Sequence, residues 1–346
     1  MWCHSPGMPS VALYWHMGAT HSRLRNVVAP IVRGEKRMLM VPPARRVWAM
    51  SGEGLEAAID ATAAEWTAER TSGVLRVPTA TDDKYSRGVL GVRTGSTRYP
   101  GAAVLGVEAA WRTGLGMVRY LGPERAQDLI LARRPETVTA DGRVQAWLIG
   151  SGTDAADRPE AEDAALRRIL ASDVPVVVDA GALDLAGVGS APRIVTPHGR
   201  EHDRLRESIG LPPVGGDADD TGRQRAALET ARTLGATVLL KGARTIVATP
   251  GGWTARVTAG TPWLATAGTG DVLGGIIGAV VASAAVEPLA DAESLGALAA
   301  TGAWLHGRAA TSAAGRHGAA GGPITALDIT TELPGAVAAV LARRGR

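Results

Sequence analysis

The run Gly268-Thr269-Gly270-Asp271 leads straight into the apolar stretch Val272-Leu273-Gly274-Gly275-Ile276-Ile277. Two glycines let a backbone fold closely around an anion while the first amides of the following helix point at it, and a phosphate is the natural guest. Asp271 falls at the helix start, where a carboxylate caps free amides and lies within reach of a hydroxyl that attacks the phosphate. A plain capped glycine turn has the same pattern, so the motif alone decides nothing.

Three further segments offer chemistry. Lys241 follows the apolar run Val238-Leu239-Leu240 and precedes Gly242-Ala243-Arg244-Thr245, so one cation and a threonine hydroxyl could face phosphates or a ribose. An isolated lysine there is as readily a solvated surface residue. His198 closes Ile194-Val195-Thr196-Pro197 and suits hydrogen bonding to a ligand, or else belongs to a packed loop. Ser96 to Ala103 is a small-residue loop running into a helix, which could admit a sugar or ring or merely join two elements.

The elements that must position these groups recur as short apolar runs, each followed by glycine and then an Ala/Leu-rich helical stretch. The pattern predicts strands over Gly88–Arg93, Met117–Leu121, Val144–Ile149, Val174–Val178, Arg193–Val195, Thr237–Leu240 and Thr245–Ala248. It predicts helices over Ala102–Thr113, Ala161–Ala171, Arg223–Leu234, Val272–Ser283 and Ser294–Ala314. Strands this apolar are buried on both faces, which implies a mostly parallel sheet with helices on each side and a ligand beyond the strands' carboxyl ends.

Composition narrows the function classes. With 45% hydrophobic and 21% charged residues the chain suits a soluble globular protein, and a net charge of +3 over 346 residues gives no general nucleic-acid footprint. One cysteine, Cys3, excludes an intramolecular disulfide and argues against a zinc site, which fits a reducing, cytoplasmic setting. No apolar run approaches the roughly 18 to 20 residues of a bilayer span, so no membrane partner is expected. Phe is absent, and the nine Trp are expected to supply much of the aromatic core volume.

Residues 1–46 differ from the rest: Arg23, Arg25, Arg33, Lys36, Arg37, Arg45 and Arg46 face the single acid Glu35. Residues 1–81 are read as an atypical basic segment and linker, either disordered or a remnant of an epimerase fusion, with one helix over Gly54–Arg70. Residues 82–346 are read as the working domain.

From Asp82 to Pro334 the chain resembles the bacterial NAD(P)H-hydrate dehydratases. The resemblance rests on Asp83-Lys84-Tyr85-Ser86-Arg87-Gly88, Gly260-Thr261-Pro262-Trp263-Leu264-Ala265-Thr266-Ala267 before the Gly-Thr-Gly-Asp run, Leu305-His306-Gly307, and Pro323 to Ile329. It implies a ribokinase-like, three-layer α/β/α fold with a mostly parallel central sheet. It also implies an ADP- or ATP-dependent reaction with Mg2+, in which NADHX or NADPHX is phosphorylated on its C6 hydroxyl and phosphate is eliminated. In that family reading Asp271 is the catalytic base. Ala103, Gly152, His198 and Asp271 contact the hydrated cofactor, and Lys241, Gly242, Ala243, Arg244, Thr245, Thr269 and Gly270 bind the nucleotide. No resident protein-held metal is expected, and a homotetramer is implied; many relatives carry an epimerase domain before this one, and residues 1–81 are too few for it, so no epimerase activity is expected.

The chain departs from the family pattern at Gly181, where a second Asp is usual, at Arg200 in place of a small residue, at Thr258 in place of Asn, and at Ser151 in place of Pro. Two other readings stand beside the dehydratase: a ribokinase-like kinase for a vitamin-precursor alcohol, which uses the same Gly-Thr-Gly-Asp device, and a catalytically silent nucleotide-binding protein.

Overall fold

The structure, a computed structural model, describes residues 63–286, 289 and 291–345. The basic stretch, Cys3 and the first part of the helix expected over Gly54–Arg70 lie outside the described residues.

One nine-stranded sheet organises the chain. Its strands are β1 (Ala64–Glu65), β2 (Val89–Arg93), β3 (Met117–Tyr120), β4 (Ala146–Ile149), β5 (Val176–Val178), β6 (Arg193–Val195), β7 (Thr237–Leu240), β8 (Thr245–Ala248) and β9 (Thr254–Val257). The spatial order is β1-β9-β8-β7-β6-β5-β4-β2-β3. From β3 through β7 every pair is parallel, while β8 is antiparallel to both neighbours, β7 and β9. The seven expected strands are all present, most of them a residue or two shorter than expected.

The helices are α1 (Ala68–Val74), α2 (Pro100–Thr113), α3 (Glu124–Arg133), α4 (Glu160–Leu170), α5 (Gly199–Ser208), α6 (Asp220–Leu234), α7 (Thr269–Ala284), α8 (Gly296–Gly315) and α9 (Ala326–Leu341). Alternation along the strands sends successive side chains to opposite faces. Leu148, Val177, Ile194 and Leu239 join a core with α2, α7, α8 and α9, whereas Ile149, Val178, Val195 and Leu240 join a second core with α4 and α6. Each such side chain, fully buried, stabilises the fold by about 1.5–3 kcal/mol relative to exposure. The result is the three-layer arrangement expected from strands buried on both faces.

The aromatic expectation holds in part: Trp66 is buried, and Trp111, Trp147, Trp253 and Trp304 pack partly buried against the two cores. Among the described residues the largest fully buried side chains are Tyr120 followed by leucines and isoleucines, and Trp66 is the one tryptophan in the buried core. Elsewhere aliphatic chains interdigitate with close-packed helices of small residues. Gly275 shows the constraint: a Cβ there would lie 2.1 Å from the Gly106 carbonyl oxygen, so α7 and α2 touch backbone to backbone.

The segment expected as one helix over Gly54–Arg70 is different within its described part. Ala64–Glu65 pairs in parallel with β9, Trp66 N donates to Arg256 O at 2.8 Å, and α1 begins only after Thr67, whose side chain accepts from Arg70 N. An open sheet edge and a buried place for Trp66 outweigh local helix propensity. The sheet therefore takes in residues upstream of the expected boundary at residue 82.

Candidate active site

Parallel strands deliver their carboxyl ends to one edge, and chemistry-bearing residues follow each: Thr94 after β2, Ser151 and Gly152 beyond β4, Asp179 after β5, Thr196 to His198 after β6, and Lys241 after β7. The chain runs from β2 outward to β3 and then back to β4 on the other side of β2. That reversal opens a crevice at the β2 and β4 ends.

Asp179 is the most heavily bonded group at this edge. Its Oδ2 accepts from Ser151 Oγ at 2.8 Å, and its Oδ1 accepts from Thr196 Oγ1 at 2.7 Å and from Lys241 Nζ at 3.0 Å. Lys241 Nζ also lies 3.7 Å from Glu201 Oε2. Burial is the largest influence on this ammonium and lowers its pKa, but the charges of Asp179, Glu201 and Asp271 together outweigh it and leave the pKa raised. Lys241 is thus a firmly charged group already engaged by the protein.

Helix α7 starts at Gly268, whose φ of 87° needs glycine and where a Cβ would meet Leu105 Cδ1 at 2.6 Å. No side chain caps the helix, so its first amides stay open to an anion. Asp271 is the third helical residue and is not the cap expected from the sequence. Burial, followed by the charge of Asp179, raises its carboxyl pKa to about 6 against the opposing pull of Lys241.

Beside these groups lies a cavity of about 680 Å³. Its walls are the β7–β8 turn with Lys241, Gly242, Ala243 and Thr245, the loop from Gly260 to Ala265, the start of α7 at Thr269 and Gly270, and Ala303, His306 and Gly307 of α8. A Cβ on Gly270 would lie 3.8 Å from Lys241 Nζ, so the cradle faces the cation.

Most residues singled out in the sequence meet here. Lys241, Gly242, Ala243, Thr245, Thr269, Gly270 and His198 line the cavity. Arg244 does not: its guanidinium pairs with Asp220 of α6, an interaction no local pattern announces. Ala103 is fully buried, its methyl under the Gly95 turn, and Gly152, at φ 68°, packs against Ala102 and the Tyr99 carbonyl in the β2/β4 crevice. His198 caps α5 in a capping box with Glu201, its Nδ1 3.5 Å from Glu201 N, while half its side chain stays exposed.

Sequence reasoning passed over Asp179, Glu201 and His306. An acid directly after the run Val176-Val177-Val178 is a readable sign of a group at a strand's carboxyl end, and His306 lies in the Leu305-His306-Gly307 segment that carries the resemblance, whereas Glu201 has no comparable local mark.

A family model for NAD(P)H-hydrate dehydratase matches residues 90–334. The chain belongs to the NAD(P)H-hydrate dehydratase family.

Two curated members of the NAD(P)H-hydrate dehydratase family illustrate the match. A bifunctional NAD(P)H-hydrate repair enzyme of Mycobacterium tuberculosis is 48% identical over 221 residues, covering 60% of this chain and 43% of that protein. An ADP-dependent (S)-NAD(P)H-hydrate dehydratase of Neisseria meningitidis is 35% identical over 263 residues, 70% of this chain and 83% of that one. The ADP/ATP-dependent NAD(P)H-hydrate dehydratase of Bacillus subtilis, co-crystallised with ATP and Mg2+, shares 28% identity at a TM-score of 0.67, covering 81% of this chain and 99% of that chain. A ribokinase-like superfamily protein of Enterococcus faecalis, 22% identical at a TM-score of 0.64 over 80% of this chain and 96% of its own, has the same fold. The chain spans about half the length of the bifunctional relatives it matches.

The structure accounts for three departures from the NAD(P)H-hydrate dehydratase pattern. Gly181 is required because a Cβ there would lie 2.1 Å from the Thr153 carbonyl oxygen. Ser151 supplies the hydroxyl that holds Asp179. Thr258 donates from its amide, at 3.1 Å, and from its hydroxyl to Glu65 Oε1, which ties β1 to the loop that walls the cavity. Arg200 lies exposed in the first turn of α5, and nothing in the structure explains it.

Proposed function

We propose that the chain dehydrates (6S)-NADHX or NADPHX to NADH or NADPH with consumption of ADP or ATP, as a nicotinamide-nucleotide repair enzyme. The observation that carries this reading is one carboxylate of raised pKa, Asp271, in the first turn of an uncapped helix, beside a charged lysine and a cavity of about 680 Å³. The names of the family and of its Neisseria and Bacillus relatives supply the substrate and the nucleotide.

In this reading the nucleotide lies along the β7–β8 turn, with its terminal phosphoryl group at the Thr269 and Gly270 amides. These amides and Lys241 stabilise the charge that spreads over the phosphoryl oxygens as the substrate hydroxyl attacks. Asp271 accepts the proton of that hydroxyl; at neutral pH it is ionised, yet close enough to the ambient pH to hold the proton once taken. The phosphorylated substrate then loses inorganic phosphate. Ala103, Gly152 and His198 mark the hydrated cofactor's side of the cradle, and Arg244 its outer edge on the nucleotide side.

Magnesium belongs to the same proposal. Among the described residues no group of three His, Cys, Asp or Glu is arranged to hold a metal, and Asp179 is committed to Ser151, Thr196 and Lys241. The donors fit an ion carried mainly by phosphate oxygens and water, with Asp271 the nearby carboxylate. When bound it would neutralise phosphate charge. A cytoplasmic setting is also part of the proposal; among the described residues no helix is long and apolar enough to cross a membrane. A homotetramer remains part of the proposal, and sedimentation of the purified protein tests it.

Incubation with NADHX and either ADP or ATP should produce NADH absorbance together with one phosphate per turnover. Nucleotide binding without any NADH would remove the dehydratase reading.

A further inference from the structure

A second cavity, of about 550 Å³, opens at the carboxyl edge of the sheet. Its walls are the loop from Thr153 to Ala155 beyond β4, the turn at Gly181 beyond β5, and Glu201 and Arg204 of α5. It has no lining residue in common with the cavity beside Lys241. Two chain segments nevertheless lead into it from the positions read above as the hydrated cofactor's side of the cradle: Thr153 follows Gly152, and Glu201 lies three residues after His198.

The charges around this cavity are unevenly committed. Asp184 accepts from Arg158 Nη2 at 2.6 Å, while Glu201 accepts from the His198 amide at 2.8 Å and lies 3.7 Å from Lys241 Nζ. Asp154, exposed in the loop, accepts from the Ala156 amide at 3.0 Å. Arg204 is exposed and, among the described residues, has no hydrogen-bond or ion-pair partner. A bare arginine on a helix is ordinarily a solvated surface group. Here the guanidinium stands in a concave wall, where its planar fork of donors matches phosphate oxygens and the nearby Asp154 carboxylate suits a sugar hydroxyl. That pairing of groups fits a sugar phosphate. Arg204 is also six residues beyond His198, about 9 Å along the helix axis, a span that a ribose and its phosphate can bridge.

In the dehydratase reading the ADP or ATP occupies the cavity beside Lys241, so the half of the dinucleotide substrate that does not react needs a place of its own. We propose that the second cavity receives this adenylate half and that Arg204 is a specificity-determining residue, pairing with one of its phosphates. The proposal rests on the dehydratase reading and deepens it.

The test compares Arg204→Gln and Arg204→Lys with wild type, using NADHX and NADPHX as substrates at saturating ADP. Loss of one charge-assisted contact made equally in the ground and transition states should raise the KM for the dinucleotide roughly tenfold in the Gln variant and leave kcat near wild type. The Lys variant keeps the charge without the fork, so its KM should fall between the two. The Kd for ADP, by calorimetry, and the melting temperature should not change, since Arg204 lies outside the nucleotide cavity and holds nothing in the fold. An equal rise in KM for both substrates assigns the contact to the pyrophosphate, and a rise confined to NADPHX assigns it to the 2′-phosphate. A wild-type KM for both substrates in the Gln variant overturns the proposal, as does a fall in kcat at unchanged KM or a loss of ADP affinity. If the wild-type protein binds ADP yet turns over neither substrate, the dehydratase reading itself fails, and this proposal with it.

Discussion

Lys241 Nζ donates to Asp179 Oδ1 at 3.0 Å, joining the ends of β7 and β5 across β6, between residues 62 apart in the chain. This contact sets the electrostatics of the whole edge, since each partner also acts on the Asp271 carboxyl, Asp179 raising its pKa and Lys241 lowering it.

Replacing Lys241 with Met therefore has three consequences. Asp179, 4% exposed at its side chain, loses its counter-ion but keeps the Ser151 and Thr196 hydroxyls, so the stability loss should be about 3 kcal/mol, near the low end for a broken buried pair. ADP affinity should fall. The Asp271 pKa should also move up, and with it the acid limb of the pH–rate profile. An unmoved acid limb would show that the ammonium does not act on Asp271.

Asp271→Asn should lower the rate by orders of magnitude while raising stability at neutral pH. The folded carboxyl has a pKa of about 6, above its unfolded value, so its contribution to stability is complete in acid and lost as the pH rises through about 6. At pH 7 the wild-type protein holds a buried charge at a disadvantage of about 3 kcal/mol, which the amide removes. In the wild type, the rate at saturating substrate should fall as the pH drops below about 6, where the base is protonated. Chemical denaturation at pH 7 and at pH 4 measures the first effect and a pH–rate profile the second. An Asn variant no more stable than wild type at pH 7 would contradict the burial described here.

Two adjacent residues should respond in opposite directions. Ala180, at φ 44°, is the one non-glycine residue with a left-handed backbone among the described residues, and Ala180→Gly should stabilise the protein by about 1 kcal/mol. Gly181→Ala forces a methyl against the Thr153 carbonyl oxygen and should cost about 2 kcal/mol or more. Urea midpoints for the two variants on either side of the wild-type value would verify the tight turn over which Asp179 is held.

Glu65→Ala removes the acceptor for the Thr258 amide and hydroxyl and for Arg256 Nε. More than a third of that side chain is exposed, so the stability loss should be only about 1 kcal/mol. The KM for ADP should nonetheless increase severalfold, because Thr258 opens the loop that walls the cavity. A wild-type KM in a protein of slightly lower melting temperature would reduce Glu65 to an edge-strand fastening.

Much of this protein is written locally. The continuous apolar runs, such as Trp147-Leu148-Ile149, announce strands buried on both faces, and these runs with their following glycines place seven of the nine strands and five helices. The Gly268 to Asp271 run announces an open helix start because backbone freedom and exposed amides are properties of the local chain. The pattern does not place β1, two residues long, or β9, Thr254–Val257, which alternates without a strong apolar face, nor does it place helices α1, α3, α5 and α9. Only the tertiary structure decided what surrounds the carboxylate. That Lys241 is held by Asp179 and Glu201, that Arg244 turns to Asp220 and that Glu65 fastens Thr258 all depend on distances between segments remote in sequence. Burial and charge act through space, and no spacing along the chain encodes them.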